Sequence, residues 1–293
     1  MSAGSVTRAN REVCFIGGAG HSGSTLLGLV LGAHPAIFYA GEARKSVFLG
    51  DLDKPLKKRV CKLCGPDCPV WGTLRPSAET DLYEQLSRRT GRPVVVDSTK
   101  STDWHAAQLA RLAGTGARTT LLYLFRDGRA VVNSRVRKYP SQSPRDIIEA
   151  WRAQIERTDA LAARFPGRVL HVRYEALASD PEPTVRRIAD ALGVAYDSCM
   201  LRFWESEQHP LGGNNGTQYL VARERAAASR ASVVELGERT RAYYGEHPRG
   251  IVLDLRWKRE LDPSVLALFD ELAGELNRRF AWPEGEPEPE VEP

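Results

Sequence analysis

Long apolar runs are missing from this 293-residue sequence. The longest in its first third, Leu26 to Leu31, is interrupted by Gly28 and falls far short of the roughly 20 residues of a membrane span. No span is expected. The first twelve residues, MSAGSVTRANRE, carry no apolar h-region, so no secretory leader is expected and a cytoplasmic location follows. Cysteine is scarce. Five in the whole chain do not make a disulfide framework. There is no internal repeat. Charge of one sign is not dominant either: 41 Lys+Arg stand against 37 Asp+Glu, a net +4, which gives no reason to invoke a nucleic-acid partner.

What is present is the composition of an ordinary globular protein. A hydrophobic fraction of 42% and a charged fraction of 27% exclude a wholly disordered or collagen-like chain. The length allows two domains or one large α/β domain, and either can bury a core without staples. The charge is unevenly placed. Residues 283–293, PEGEPEPEVEP, hold five Glu, four Pro and no basic residue. Removing them leaves 41 minus 32, or +9. This tail is expected to be disordered and solvated, and the basic remainder, residues 1–282, is read as a single domain that prefers an anionic ligand.

Val13–Ile16, Val94–Val96, Leu121–Phe125 and Val169–Val172 are short apolar runs that predict buried strands. Helical patterns follow them: Thr25–Leu31, Trp104–Leu112, a stretch from Arg129, a long region from Ser143 to Phe165, and Pro183–Leu192. A closing amphipathic helix spans Pro263–Phe280, with Leu266, Phe269, Leu272, Leu276 and Phe280 on one face. Strands alternating with helices predict an α/β fold with a parallel sheet and helices on both faces. Residues 200–262 give no clear pattern.

Between the first strand and the first helix stands Gly18-Ala19-Gly20-His21-Ser22-Gly23-Ser24-Thr25. Backbone amides in such a turn, with the positive end of the helix, form an anion site. Written as G-x-x-x-x-G-S-T, it lacks the Walker A lysine, for Ser24 occupies that place. That lysine serves the β/γ-phosphates of a nucleoside triphosphate, so its absence argues against a P-loop kinase or nucleotide hydrolase and leaves a monophosphate cradle. A second segment, Arg126-Asp127-Gly128-Arg129-Ala130-Val131-Val132-Asn133-Ser134, begins at the carboxyl end of a strand, where open α/β sheets bind ligands. An Arg fork and a hydroxyl suit a phosphate. Together the two segments describe a ligand with two separate phosphate groups.

These segments resemble the sulfotransferases that use 3′-phosphoadenosine 5′-phosphosulfate (PAPS). HSGSTLL at His21–Leu27 resembles the family's 5′-phosphosulfate loop. RDGRAVVNS at Arg126–Ser134 resembles its 3′-phosphate motif. The likeness extends to Ala33-His34-Pro35, Gly41-Glu42-Ala43-Arg44, Asp97-Ser98-Thr99-Lys100 and Arg173-Tyr174-Glu175, and covers about residues 13–195. It is strongest toward the tyrosylprotein sulfotransferases and related bacterial enzymes. The resemblance implies a P-loop-like three-layer fold, with a central mainly parallel sheet flanked by helices. It implies in-line transfer of a sulfuryl group from PAPS, the co-substrate, to an acceptor hydroxyl, leaving 3′-phosphoadenosine 5′-phosphate (PAP). Gly20, His21, Ser22, Gly23, Ser24, Thr25 and Leu26 would hold the 5′-phosphosulfate; Arg126 and Ser134, with Tyr174 beside them, would hold the nucleotide. Glu42 falls where the tyrosylprotein enzymes place a catalytic base, and Lys100 near a lysine that stabilises the transferring group. A base to take the acceptor's proton and a fixed cation for the developing charge are what the chemistry needs. The acceptor would be a small molecule, glycan or peptide bearing a hydroxyl, met by residues 43–92 and 200–262. A non-catalytic nucleotide-binding relative stands as an alternative.

One position departs from the family, which carries Lys or Arg where His21 stands. A protonated imidazole does the same work below about pH 6.5, and a neutral one can act as a base. No metal is required for this chemistry. Cys61, Cys64 and Cys68 form a C-x2-C-x3-C cluster without an evident fourth ligand, since His34 or Cys14 would have to come from afar. It is read first as a packed loop or local disulfide and second as a metal site. His105 and His209 are further base candidates, more often structural than catalytic. His209-Pro210-Leu211-Gly212-Gly213-Asn214 resembles a glycine–asparagine segment near the active site of bacterial relatives. Trp104, Trp151 and Trp204 are expected in the core, with an acceptor pocket as the sharper reading. Arg223, Arg225 and Arg230 read as a solvated helix face. Arg249-Gly250 and Trp257-Lys258 resemble, at imperfect spacing, a basic motif late in cytosolic sulfotransferases.

Overall fold

The computed structural model describes residues 7–77, 80–227, 235–236, 238, 241, 244–245 and 250–282. The acidic tail, Arg230 and Arg249 therefore lie outside the described residues.

Five parallel strands form the centre: β1 (Glu12–Gly17), β2 (Ile37–Gly41), β3 (Val94–Asp97), β4 (Arg118–Phe125) and β5 (Arg168–Arg173), in the order β2-β3-β1-β4-β5. Their sequences explain the arrangement. β1 (EVCFIG), β2 (IFYAG) and β3 (VVVD) are buried at every residue, as parallel strands covered on both faces must be. β1 is central, in register with β3 from Glu12↔Val94 and with β4 from Glu12↔Arg118. Four of the strands match the apolar runs in the sequence; β2 is additional.

Helices α1 (Ser24–Gly32), α2 (Leu82–Thr90), α3 (Thr102–Leu112), α4 (Gly128–Lys138), α5 (Pro144–Ala163), α6 (Tyr174–Ser179), α7 (Pro181–Leu192) and α8 (Asn215–Ala227) follow in chain order. A 3-10 segment, Ser198–Glu205, and a closing helix, Pro263–Asn277, complete the layers. Several start where the sequence supplies a cap. The side chains of Ser101, Asp127 and Ser143 accept from the first-turn N–H groups of α3, α4 and α5, and Pro144 opens α5 at a position that needs no donor. α1 reads STLLGLVLG and is buried at every residue from Thr25 to Gly32. It presses on β2 so closely that a Cβ at Gly28 would fall 2.2 Å from the Tyr39 ring. A second apolar cluster joins α4, α5 and the closing helix, where Trp151 packs against Phe269 at 5.5 Å between ring centroids. No described helix is long and apolar enough to cross a membrane.

Candidate active site

The carboxyl ends of all five strands meet at one cavity of about 430 Å³. β1 runs into the loop Gly18–Gly23. β2 ends at Gly41 and delivers Glu42. β3 ends at Asp97 and delivers Lys100. β4 ends at Phe125 and delivers Arg126, and β5 ends at Arg173 and delivers Tyr174. Ligands bind at this edge of an open α/β sheet because the loops there diverge on either side of a central strand.

The loop after β1 takes its shape from glycines at two points. Gly18 has φ 116° and passes so near β4 that a Cβ would fall 2.0 Å from the Leu124 carbonyl oxygen. Gly23, φ 90°, caps α1 without a side-chain bond, and a Cβ there would strike the Tyr174 ring at 2.7 Å. The first-turn N–H groups of α1 thus face the cavity, which Ser24, Thr25 and Leu26 line; Ser22 is buried behind it.

His21 has φ 74°, the only positive φ at a non-glycine among the described residues. Such a conformation costs a non-glycine residue roughly 1–2 kcal/mol and is held here by contacts on both sides of the ring. His21 Nδ1 lies 2.9 Å from Ser134 Oγ, and the ring meets Tyr139 edge-on. Burial, then the nearby charges of Lys138, Arg135 and Arg126, pull its pKa down to about 3. Both causes favour the neutral imidazole over a protonated stand-in for Lys or Arg. Cations come instead from Arg135 and Lys138 of α4, which line the same wall. Arg135 donates to the Gly20 carbonyl, 3.2 Å away, and to Gln154 of α5.

Arg126 is buried and strongly oriented. Its guanidinium lies 4.2 Å from the centre of the Tyr174 ring, donates to the carbonyls of His21 (3.3 Å) and Asp254 (2.7 Å), and pairs with the Asp254 carboxylate at 3.3 Å. Its Nε has no hydrogen-bond partner among the described residues, an orphaned donor beside the cavity of the kind that an anionic ligand satisfies. Burial opposes ionisation of Asp254, but Arg256 and Arg126 outweigh it and hold its pKa well below the usual carboxylate range. Tyr174 is fixed by its own bond to the Val252 carbonyl, 3.0 Å.

Glu42 and Lys100 sit on the opposite wall. Glu42 Oε1 accepts from the Gly213 N–H at 3.1 Å and Oε2 pairs with Lys45 at 2.7 Å. Lys100 donates to the Ile16 carbonyl at 3.0 Å. Burial lowers the Lys100 pKa to about 8, against the pull of Glu42 and Asp97. Asp97, fully buried at the end of β3, ties both residues to the sheet. Its Oδ1 accepts from Ala43 N (3.1 Å) and Thr99 N (2.8 Å), and its Oδ2 from Tyr83 OH and Trp104 Nε1, both 2.8 Å.

The other candidates separate clearly. His105 is buried against Phe15, with ring centroids 5.1 Å apart, and does not line the cavity. Burial lowers its pKa to about 4. Trp151 is core, Trp104 serves Asp97, and Trp204 packs against Phe203. Arg223 and Arg225 of α8 are held by the Tyr244 carbonyl and Glu207. Lys258 does not reach the cavity, whereas Arg256, two residues before it, does. The three clustered cysteines are not in a disulfide, for all five cysteines are free. His209 does not line the cavity and stands beside them instead, with Nδ1 3.1 Å from Cys64 Sγ. Gln154, Arg135, Lys138, Asp254 and Arg256 are cavity residues that no sequence motif pointed to.

Fold and cavity together define an α/β protein with a cavity at the carboxyl ends of its strands, lined by Arg126, Arg135, Lys138 and Lys100. A model of the sulfotransferase family matches residues 14–198, and the chain belongs to that family. It is 24% identical over 200 residues to protein-tyrosine sulfotransferase 1 of Danio rerio and 27% identical over 199 residues to protein-tyrosine sulfotransferase A of Caenorhabditis elegans. Those matches cover 65% and 64% of this chain but 56% and 51% of the relatives, so the chain spans about half their length. Its fold is similar to the sulfotransferase domain from the curacin biosynthetic pathway, with a TM-score of 0.61 at 18% identity, over 93% of this chain and 99% of that one.

Proposed function

We propose that the protein transfers a sulfuryl group from PAPS to a hydroxyl-bearing acceptor, small molecule, glycan or peptide, by in-line displacement. The observation that carries this reading is the convergence of five strand ends on one cavity, with the glycine loop and the buried Arg126 bearing its orphaned Nε on one side and Glu42 with Lys100 on the other. The residues fit a nucleotide with two separated phosphates. The α1 N-terminus and loop amides would hold the 5′ group, while Arg126 and Ser134 would hold the 3′-phosphate.

The donor, when bound, supplies an activated sulfuryl group; the chain's own residues do the rest. Glu42, fixed at Oε1 by Gly213, takes the acceptor's proton at a carboxylate oxygen. Lys100, carried below the Ile16 carbonyl, offers a positive charge where negative charge accumulates on the transferring group. His21 Nδ1 holds the Ser134 hydroxyl, and Arg135 with Lys138 makes the wall behind it positive. The names of the tyrosine-sulfating relatives favour a phenolic acceptor.

The test is thermal shift with adenosine 3′,5′-bisphosphate and, separately, with Mg-ATP, followed by transfer assays read by mass spectrometry for an added sulfo group. Stabilisation by the bisphosphate alone, with product formation, is expected. Stabilisation by Mg-ATP alone would sink the reading. Bisphosphate binding with no transfer to any phenol, sugar or peptide would leave a nucleotide-binding relative without turnover.

A further inference from the structure

The cluster away from the cavity is the strongest unexplained chemistry in the molecule. Cys61, Cys64, Cys68 and His209 bring three sulfurs and one ring nitrogen within 4.8 Å of one another. His209 Nδ1 lies 3.1 Å from Cys64 Sγ and 3.6 Å from Cys68 Sγ. With metal–sulfur bonds of about 2.3 Å and a metal–nitrogen bond of about 2.0 Å, tetrahedral ligand atoms stand roughly 3.5–3.8 Å apart. The two nitrogen–sulfur distances, 3.1 and 3.6 Å, lie on either side of the nitrogen–sulfur spacing, all four atoms fall within 4.8 Å, and every thiol is free.

The backbone is arranged as a thiolate-binding turn. Cys64 N–H is directed at Cys61 Sγ, 3.5 Å away. Gly65 follows at φ 76° and closes the turn by donating to the Cys61 carbonyl at 3.0 Å. His209 is oriented from behind: Trp71 Nε1 donates to its carbonyl at 2.6 Å, and the Glu207 carboxylate lies 3.8 Å from its Nε2.

We infer that Cys61, Cys64, Cys68 and the Nδ1 atom of His209 form a structural zinc site. Three thiol protons leave for solvent as the sulfurs bind, and the neutral imidazole contributes a lone pair. Four protein ligands close the coordination shell, so the metal holds structure and takes no part in transfer. What it holds is the segment from His209 to Asn214. Leu211 bridges Cys61 on one side and Gly41 on the other; Gly213 then donates to Glu42, and Asn214 N–H to Thr25 Oγ1 at 2.9 Å. Residues 61–68 and 209 thus anchor the backbone that fixes one wall of the cavity.

The full-length chain, purified under reductant and dialysed against zinc, should carry one zinc per chain by elemental mass spectrometry. Cobalt substitution should give the visible ligand-field and thiolate charge-transfer bands of a tetrahedral site. Cys64→Ser and His209→Ala should each lose most of the metal. His209→Cys should retain it with a shifted cobalt spectrum, and Cys199→Ser, outside the cluster, should change nothing. Chelation should lower the thermal midpoint of the wild type by several degrees and leave that of Cys64→Ser in place. A reduced wild-type chain that takes up neither zinc nor cobalt, or iron in place of zinc, overturns the assignment. None of these readouts depends on PAPS or on turnover.

Discussion

His21 Nδ1 and Ser134 Oγ, 113 residues apart in sequence and 2.9 Å apart in space, lock the loop after β1 to helix α4. The pair joins the two segments assigned to the two phosphates, and burial with the cations around the ring disfavours its protonated form. The unfolded imidazole has a pKa near 6.5 and the folded one about 3, so the unfolded chain binds the extra proton between those values. Stability contributed by this residue is therefore complete above pH 6.5 and is lost as pH falls toward 3. His21→Asn, which tolerates positive φ, should flatten the acid limb of a urea-unfolding series from pH 7 to pH 4. An unchanged slope would place the acid sensitivity elsewhere, His105 being the next buried neutral ring.

Arg126 and Asp254 predict effects of opposite sign. Arg126→Ala should weaken adenosine 3′,5′-bisphosphate by roughly 30-fold or more, the usual cost of removing a buried charged partner, with the fold retained. Asp254→Asn removes the carboxylate that shares Arg126 with an incoming phosphate, and should tighten the same ligand. Calorimetric titration of both variants decides. Equal affinities in all three proteins would remove Arg126 from the site.

Glu42→Gln keeps the shape of the side chain and an oxygen for the Gly213 N–H, but it cannot accept a proton. Transfer should fall by roughly 10²–10⁴-fold while bisphosphate affinity stays at the wild-type value. Full activity in this variant would transfer the role of base to another group.

The Lys100 ammonium, with a pKa of about 8, should give the transfer rate an alkaline limb: activity declines as pH rises through 8 and the charge is lost. Lys100→Met should be slow at every pH and lack that limb. A wild-type rate that is flat from pH 7 to pH 10 would contradict the role.

Asp97→Ala should act on fold and site together. The carboxylate accepts four hydrogen bonds in a fully buried position, and removing it strands donors at about 1–3 kcal/mol each. A loss of roughly 3 kcal/mol or more in denaturant unfolding is expected, with weaker transfer in whatever remains folded.

Much of this site could be read along the chain because its residues follow the strands directly. An apolar run such as VVVD or LLYLF announces a strand, and the polar residue after it, Lys100 or Arg126, falls at the sheet's carboxyl edge. Strand β2 escaped because IFYAG is five residues long, lies just beyond Pro35 and shows no alternation. Arg135, Gln154 and Asp254 enter the cavity through packing of α4, of α5 and of the segment after Gly250, which no local pattern encodes. Lys138 did leave a signal: it stands four residues after Ser134 and shares that helix face. His209 lies 141 residues from Cys68, and only the folded backbone brings the two together.

The Leu211 bridge has a consequence for behaviour in solution. β2 is an outer strand of the sheet, and outer strands offer unpaired N–H and C=O groups to other chains. Leu211 N–H donates to the Ala40 carbonyl at 2.9 Å, and the Leu211 carbonyl accepts from Glu42 N–H at 2.6 Å. That single residue occupies the end of the edge nearest the cavity, so strand addition from a second molecule is blocked there. Whatever loosens residues 209–214 uncovers the Ala40 carbonyl and the Glu42 N–H for pairing with a second molecule.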